Sequence, residues 1–206
     1  MTGDRPVRRT QEQRTAGTRA ALFAAAVRVI DRVGYAAANN ASIAEEAGIS
    51  RGSITHHFAT RPAFMAEVVK WVFDEETATF RELTQDRRDM RIEDWPGLLW
   101  EVLSRPSGVA VLEILVASRS DPELAALTKP MQAEVERAGA ANFLHRFEAS
   151  EPDMAAIRLV VWAIRGMTMG RAFIAGPGDM ADAVALLSRM LARIAPNGTM
   201  AELLAL

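Results

Sequence analysis

The 206-residue chain contains no cysteine. That excludes a disulfide framework and any thiolate metal site. Tyrosine occurs once, and the only histidines are His56, His57 and His145, so acid–base groups and metal ligands are scarce. No nucleophile–base spacing and no metal-ligand spacing is present. On a helix, His56 and His57 would point roughly 100° apart, too divergent to share an ion. We therefore expect no metal, no cofactor and no catalytic activity. Long apolar runs are missing too. The longest candidate, residues 159–175, is interrupted by Arg165 and Arg171, whereas a membrane span needs about 20 mostly apolar residues. It reads as a buried helix. The opening MTGDRPVRRTQEQR has no apolar stretch of the kind a signal peptide needs, and a cytoplasmic location is expected. Strand-like alternation, internal repeats and heptads are absent, which leaves an all-α fold.

Half of the residues are apolar, so a sizeable core needs no staples. Charge is unevenly spread. Residues 1–62 carry nine arginines against five acids, net +4, and the rest of the chain is net −6. A basic head on an acidic body suits polyanion binding by the head. Residues 1–13 are polar and read as a disordered arm. Residues 14–62 read as a small helical head and 63–206 as a larger helical body. In the first helix (14–33), Leu22, Phe23, Ala26, Val27, Ile30 and Val33 recur at helical spacing, and Gly34 is placed to end it.

The stretch Gly34–Phe64 carries the strongest pattern. Asn39 is a good N-cap for a short second helix ending near Ala47. Gly48 permits a tight turn. Ser50 can cap a third helix, 51–58, and Thr60 a fourth with Pro62 in its first turn. Two short helices across such a turn form a helix-turn-helix, whose second helix enters the DNA major groove. Arg51 is then the candidate for bidentate contact with guanine. Gly52 lets the backbone approach the duplex. Ser50, Ser53 and Thr55 offer hydroxyls, and His56 can reach a base edge or a thymine methyl. Asn39 sits where a helix N-terminus presents N–H groups to phosphate, and Arg61 is placed to clamp another. Arg5, Arg8 and Arg9 read as a tail rather than as a minor-groove arm.

Gly34-Tyr35, Ile43-Ala44, Ala47-Gly48-Ile49-Ser50, Gly52, Ile54, His57 and Phe58 fall, without a gap, on the head pattern of the TetR family of bacterial transcriptional regulators, which this chain resembles over about 50 residues. The resemblance implies that His57 contacts a phosphate, that Thr55 stands where the family has a phosphate-touching Tyr, and that Arg61 replaces its usual Lys. It also implies a homodimer on a palindromic double-stranded DNA operator, and a small-molecule effector that releases a repressor. A sequence-tolerant or ligand-independent DNA binder, or an activator, stays open as the alternative.

In the body, helices are expected from Pro96 to about Ser104, from Val109 to Ser118, from Pro122 to about Ala149 with a possible kink at Pro130, from Pro152 to about Ala175 and from Asp179 to Ala195. The last two would supply the dimer interface through Ile157, Val160, Val161, Ile164, Thr168, Val184, Leu187, Leu191 and Ile194, with Gly166 and Gly170 permitting close approach. Ligand-pocket candidates are Trp71, Trp100, Leu103, Leu112, Val116, Met131, Phe143, Phe147, Trp162 and Met167, apolar and adaptable as hydrophobic ligands require. Glu113 and Arg165 stand out as charges in apolar surroundings. They are expected to pair with each other, the other reading being that one meets a polar ligand group.

Overall fold

The computed structural model describes residues 11–87, 89–147, 154–174, 179–199 and 202; of these, the side chains of 11–14, 51, 144–147 and 179 are not described. The expected arm, with Arg5, Arg8 and Arg9, lies outside the described residues. Within them every regular element is helical: α1 Gln11–Val33, α2 Asn40–Glu46, α3 Arg51–His57, α4 Arg61–Thr84, α5 Trp95–Leu103, α6 Pro106–Ala117, α7 Pro122–Phe147, α8 Met154–Gly170 and α9 Asp179–Ile194. A 3-10 turn, Ile92–Asp94, precedes α5.

The boundaries follow local chemistry. Asn39 Oδ1 accepts the N–H groups of Ala41 and Ser42 at 2.9 and 3.0 Å, which satisfies two donors that α2 would otherwise leave open. Gly34 and Gly48 take φ of +80° and +68°, a region closed to most side chains. Ser50 occupies the N-cap of α3, but its hydroxyl meets Ser53 Oγ at 3.0 Å rather than capping the backbone. Thr60 Oγ1 accepts from Ala63 N at 3.2 Å and starts α4.

Two body helices depart from expectation. α6 begins at Pro106, not Val109, because a proline at the first helical position is pre-organised for the helix. It packs so tightly after α5 that a Cβ on Gly108 would lie 1.9 Å from the Leu103 carbonyl oxygen. α8 stops at Gly170 rather than near Ala175, and tight turns carry the chain through 171–174. α7 runs through Pro130 as one helix.

One core joins the head to the near half of the body. Leu22, Ala26 and Ile30 of α1, Ile43 of α2, Ile54 of α3, Phe64 and Val68 of α4, Ile114 of α6 and Leu124 of α7 belong to it. A second core gathers Trp95, Phe143, Ile157, Val160 and Leu191, and a third Val102, Leu103, Ile164 and Val184. α4 touches α1 near its start and α5, α6 and α7 along its length, so it is the element that spans head and body.

Candidate nucleic-acid interface and interior cavity

In the head, Ile43, Ile54 and Phe58 are buried, and this fixes which side of α3 is left over. Asn39, Ser50, Gly52, Thr55 and His56 are exposed, and Ser53 and His57 are half-buried. The α3 backbone places Arg51 as its first residue, in the turn that a major-groove reader turns toward the bases; its side chain is outside the described residues. Thr55 Oγ1 donates back to Gly52 O at 3.0 Å. The His56 and His57 rings lie 5.5 Å apart, edge to face, and no cluster of three metal-ligating side chains occurs among the described residues.

Arg61 is arranged differently from the phosphate clamp expected of it. Its Nη2 donates to the carbonyls of Tyr35 and Ala38 at 2.7 and 3.1 Å, and its guanidinium lies 4.2 Å from the centre of the Tyr35 ring. It braces the α1–α2 connection. Burial pushes the Tyr35 phenol above its ordinary value, against the pull of Arg61. The amide of the same Tyr35 donates to Glu113 Oε2 of α6, and the Thr60 hydroxyl donates to Glu123 Oε1 of α7. The body therefore grips the head through two carboxylates. On the outer side, Arg28 and Arg32 converge on Glu46 at 2.7 and 3.0 Å and hold its carboxyl below the usual range.

The body holds a half-open cavity of about 420 Å³ between α4, α5, α7 and α8, within the size range of small-molecule sites. Of the pocket candidates, Leu103, Phe143, Trp162 and Arg165 line it, and Trp71 lines a neighbouring cavity of about 160 Å³. The other pocket candidates do not line the larger cavity. Trp100 and Met167 pack on the third core, Met131 packs on the head-side core, Leu112 is buried, and Val116 faces outward. The Phe147 side chain lies outside the described residues. Unforeseen wall residues include Phe73, Glu76, Phe80, Trp95 and Gln132.

The expected pairing of Glu113 with Arg165 is replaced by two separate contacts. Arg165 Nη2 donates to Glu76 Oε2 of α4 at 3.1 Å, in a site where both side chains are about nine-tenths buried. Glu113 is spent on Tyr35. Burial drives the Glu76 carboxyl above its ordinary range, and Arg165 opposes that shift. The sequence carried one unread sign: Glu76 interrupts the apolar stripe Val69, Val72, Phe73, Phe80 of α4 at helical spacing.

The expected dimer residues are also redistributed. Ile157, Val160, Ile164, Thr168, Val184 and Leu191 are buried inside the single chain, and Val161 and Leu187 pack against its cores. Ile194 is half-buried. The opposite faces are exposed and apolar: Leu159, Trp162, Phe173 and Ile174 beside α8, and Leu186 and Met190 on α9. Gly166 lies on that α8 stripe, with open space where a Cβ would be, whereas Gly170 backs onto Met180.

A compact helix-turn-helix on a larger helical body with an internal cavity defines a class of helical regulator. Residues 22–68 match the family model for bacterial regulatory proteins of the tetR family. The chain is 33% identical over 120 residues to an uncharacterized HTH-type transcriptional regulator of Mycobacterium tuberculosis, a match that covers 56% of this chain and 60% of that one. It is 30% identical over 139 residues to the HTH-type transcriptional regulator CymR of Pseudomonas putida, 64% of each chain. Thus the chain spans about three-fifths of the length of the curated relatives it matches. The fold is that of a transcriptional regulator from Saccharomonospora viridis solved in complex with choline, with a TM-score of 0.65 at 15% identity over 86% of this chain and 96% of the other. Residues 22–68 thus carry the head of the tetR family of bacterial regulatory proteins, and the chain is similar to HTH-type transcriptional regulators beyond it.

Proposed function

We propose that the protein is a dimeric, ligand-responsive transcriptional repressor that reads paired DNA half-sites and leaves them when a small molecule enters the body. The observation that carries this reading is α4. Arg61 in its first turn is bonded to the head carbonyls of Tyr35 and Ala38, and its second half, from Phe73 to Thr84, walls the cavity. Glu76 and Arg61 are 15 residues apart on one helix, roughly 22 Å at helical rise. A ligand that displaces α4 at Glu76 moves the head at the other end. It does so only if it binds the two arrangements with different affinity.

In this reading Arg51 contacts guanine and Asn39, Ser50, Gly52, Ser53, Thr55, His56 and His57 line the duplex. Arg61 acts by holding the α1–α2 connection rather than by meeting a phosphate. Dimerisation uses the exposed stripes of α8 and α9, with Gly166 allowing the partner helix to approach. Two heads about 34–36 Å apart would meet successive turns of DNA. The working place of such a protein is the cytoplasm, and no described helix is long and apolar enough to cross a membrane.

The test is fluorescence anisotropy of the purified chain on its own upstream DNA and on a scrambled copy, at about 0.15 M salt. Wild type should prefer the upstream sequence, and Arg51→Ala should lose about 1–3 kcal/mol of that preference with unchanged helix content. Equal binding to both DNAs would establish the sequence-tolerant alternative. No binding to either would overturn the reading of the head.

A further inference from the structure

Three residues that line the larger cavity each carry a buried polar atom, sealed behind the wall, with no hydrogen-bond partner among the described residues: Glu76 Oε1 on α4, Gln132 Oε1 on α7 and Arg165 Nη1 on α8. Each such orphan costs roughly 1–3 kcal/mol, so three around one cavity need an explanation. A purely structural Glu–Arg pair would use its fork fully, with two parallel N–H···O bonds. Here only Nη2 and Oε2 meet, at 3.1 Å. One donor and one acceptor of the pair are left over.

From this inventory we infer that the cavity takes an uncharged, largely apolar molecule headed by a primary carboxamide. The inference rests on reading the cavity as the effector site. A carboxamide carries one carbonyl acceptor and two N–H donors. The carbonyl accepts from Arg165 Nη1, and the two N–H groups donate to Glu76 Oε1 and Gln132 Oε1. One group of matching polarity satisfies all three orphans once their side-chain ends turn toward the cavity. The rest of the molecule lies among Phe73, Phe80, Trp95 and Phe143, surfaces that favour a flat ring system.

Charge argues against the two ionic alternatives. Glu76 is neutralised by Arg165, and Glu136, also on the wall, is neutralised by Arg158 at 2.7 Å. The remaining wall cation, Arg81, is solvent-exposed, where its pull is screened. A carboxylate would set its oxygens against two acceptor oxygens, one of them on a carboxyl whose ionised form burial already disfavours. An ammonium would sit against a buried guanidinium. The orphan atoms are sealed from solvent, so a bound carboxamide must draw the Glu76, Gln132 and Arg165 termini toward itself. That loosens the Arg165–Glu76 bond between α4 and α8 and supplies a difference between bound and free arrangements.

The experiment is calorimetric titration of the full chain with four probes on one ring system: naphthalenecarboxamide, naphthoate, naphthylmethylamine and methylnaphthalene. The carboxamide should bind at least about tenfold tighter than each of the others, the worth of one charge-assisted hydrogen bond. The double variant Glu76→Leu/Arg165→Met removes both charges together and so avoids stranding one. It should keep its helix content and bind the carboxamide no tighter than methylnaphthalene. Gln132→Leu, at a half-buried site, should lose about threefold to tenfold for the carboxamide alone.

Equal affinities for the four probes, tighter binding of naphthoate or the amine, absence of binding by any probe, or a preference that survives both variants would each overturn the inference. The regulatory reading fails separately. If the carboxamide binds with the expected preference but upstream-DNA affinity does not change, the cavity assignment stands and ligand-controlled release does not.

Discussion

Gly108 illustrates how one residue without a side chain can set a crossing. A Cβ there would meet the Leu103 carbonyl oxygen at 1.9 Å, a rigid backbone atom that cannot turn aside. Gly108→Ala should therefore lower stability by about 2 kcal/mol, the scale of forced overpacking, although alanine is the better helix former. Urea unfolding at constant m-value checks it; a stabilised variant would mean that α5 and α6 separate freely. Glu46 works through charge. Arg28 and Arg32 hold its carboxyl below the ordinary range, so the folded state favours the ionised form. That stabilisation is present above the unfolded carboxyl value, about pH 4.3, and is lost as pH falls through the lowered folded value. The melting temperature of wild type should exceed that of Glu46→Gln at neutral pH, and the gap should close on acidification. A gap that widens in acid would reverse the sign.

At the level of elements, ends were more legible than faces. Asn39 and Thr60 mark helix ends by side-chain capping, and Gly48 and Pro62 by backbone geometry, and the helices start or stop there. The 3-10 turn at Ile92–Asp94 has no such marker; it is secured by Ile92 N donating to Gly198 O at 3.3 Å and Arg91 Nη2 to Pro196 O at 2.7 Å, both from far along the chain. α8 is apolar on two sides, so its pattern cannot tell which side its own chain covers. That is why Ile157, Val160 and Ile164 read as interface and are core. The exposed side of the helix-turn-helix was legible because it lies within one contiguous motif. The cavity was only partly so, since Glu76 and Arg165 meet across 89 residues. The α6 contact with the head was equally hidden, and it makes a prediction. Glu113→Ala leaves the Tyr35 N–H without its acceptor and should destabilise the head by about 1–3 kcal/mol. Hydrogen exchange should quicken at residues 34–38 before it does in α7; uniform quickening would mean no local latch.

The whole molecule presents apolar surface mainly where two helices of a partner copy could cover it. Leu159 is 71% exposed and Phe173 79%, unusual for residues of this size in a monomer. The double variant Leu159→Glu/Leu186→Glu should weaken dimerisation about thirtyfold or more, the ~2 kcal/mol of a hot-spot loss, while leaving the helical signal intact. Sedimentation velocity over a concentration series reads it directly. Ile164→Glu, by contrast, should unfold the chain, because that side chain is fully buried. An Ile164 variant that stays folded and only dissociates would return the interface to the inner face.

The core shared by α1, α2, α3, α4, α6 and the start of α7 bears on protein engineering. Regulators are attractive parts for exchange, one recognition module being spliced onto another sensor. Here a splice at residue 62 would carry Leu22, Ile30 and Phe58 into a foreign host without Phe64, Val68 and Ile114, which bury them. A workable graft has to take α4 at least to Phe73 and bring α6 with Glu113 for Tyr35, and the start of α7 with Glu123 and Leu124. The portable unit is discontinuous along the chain, and chimaeras of this protein should be cut to that outline.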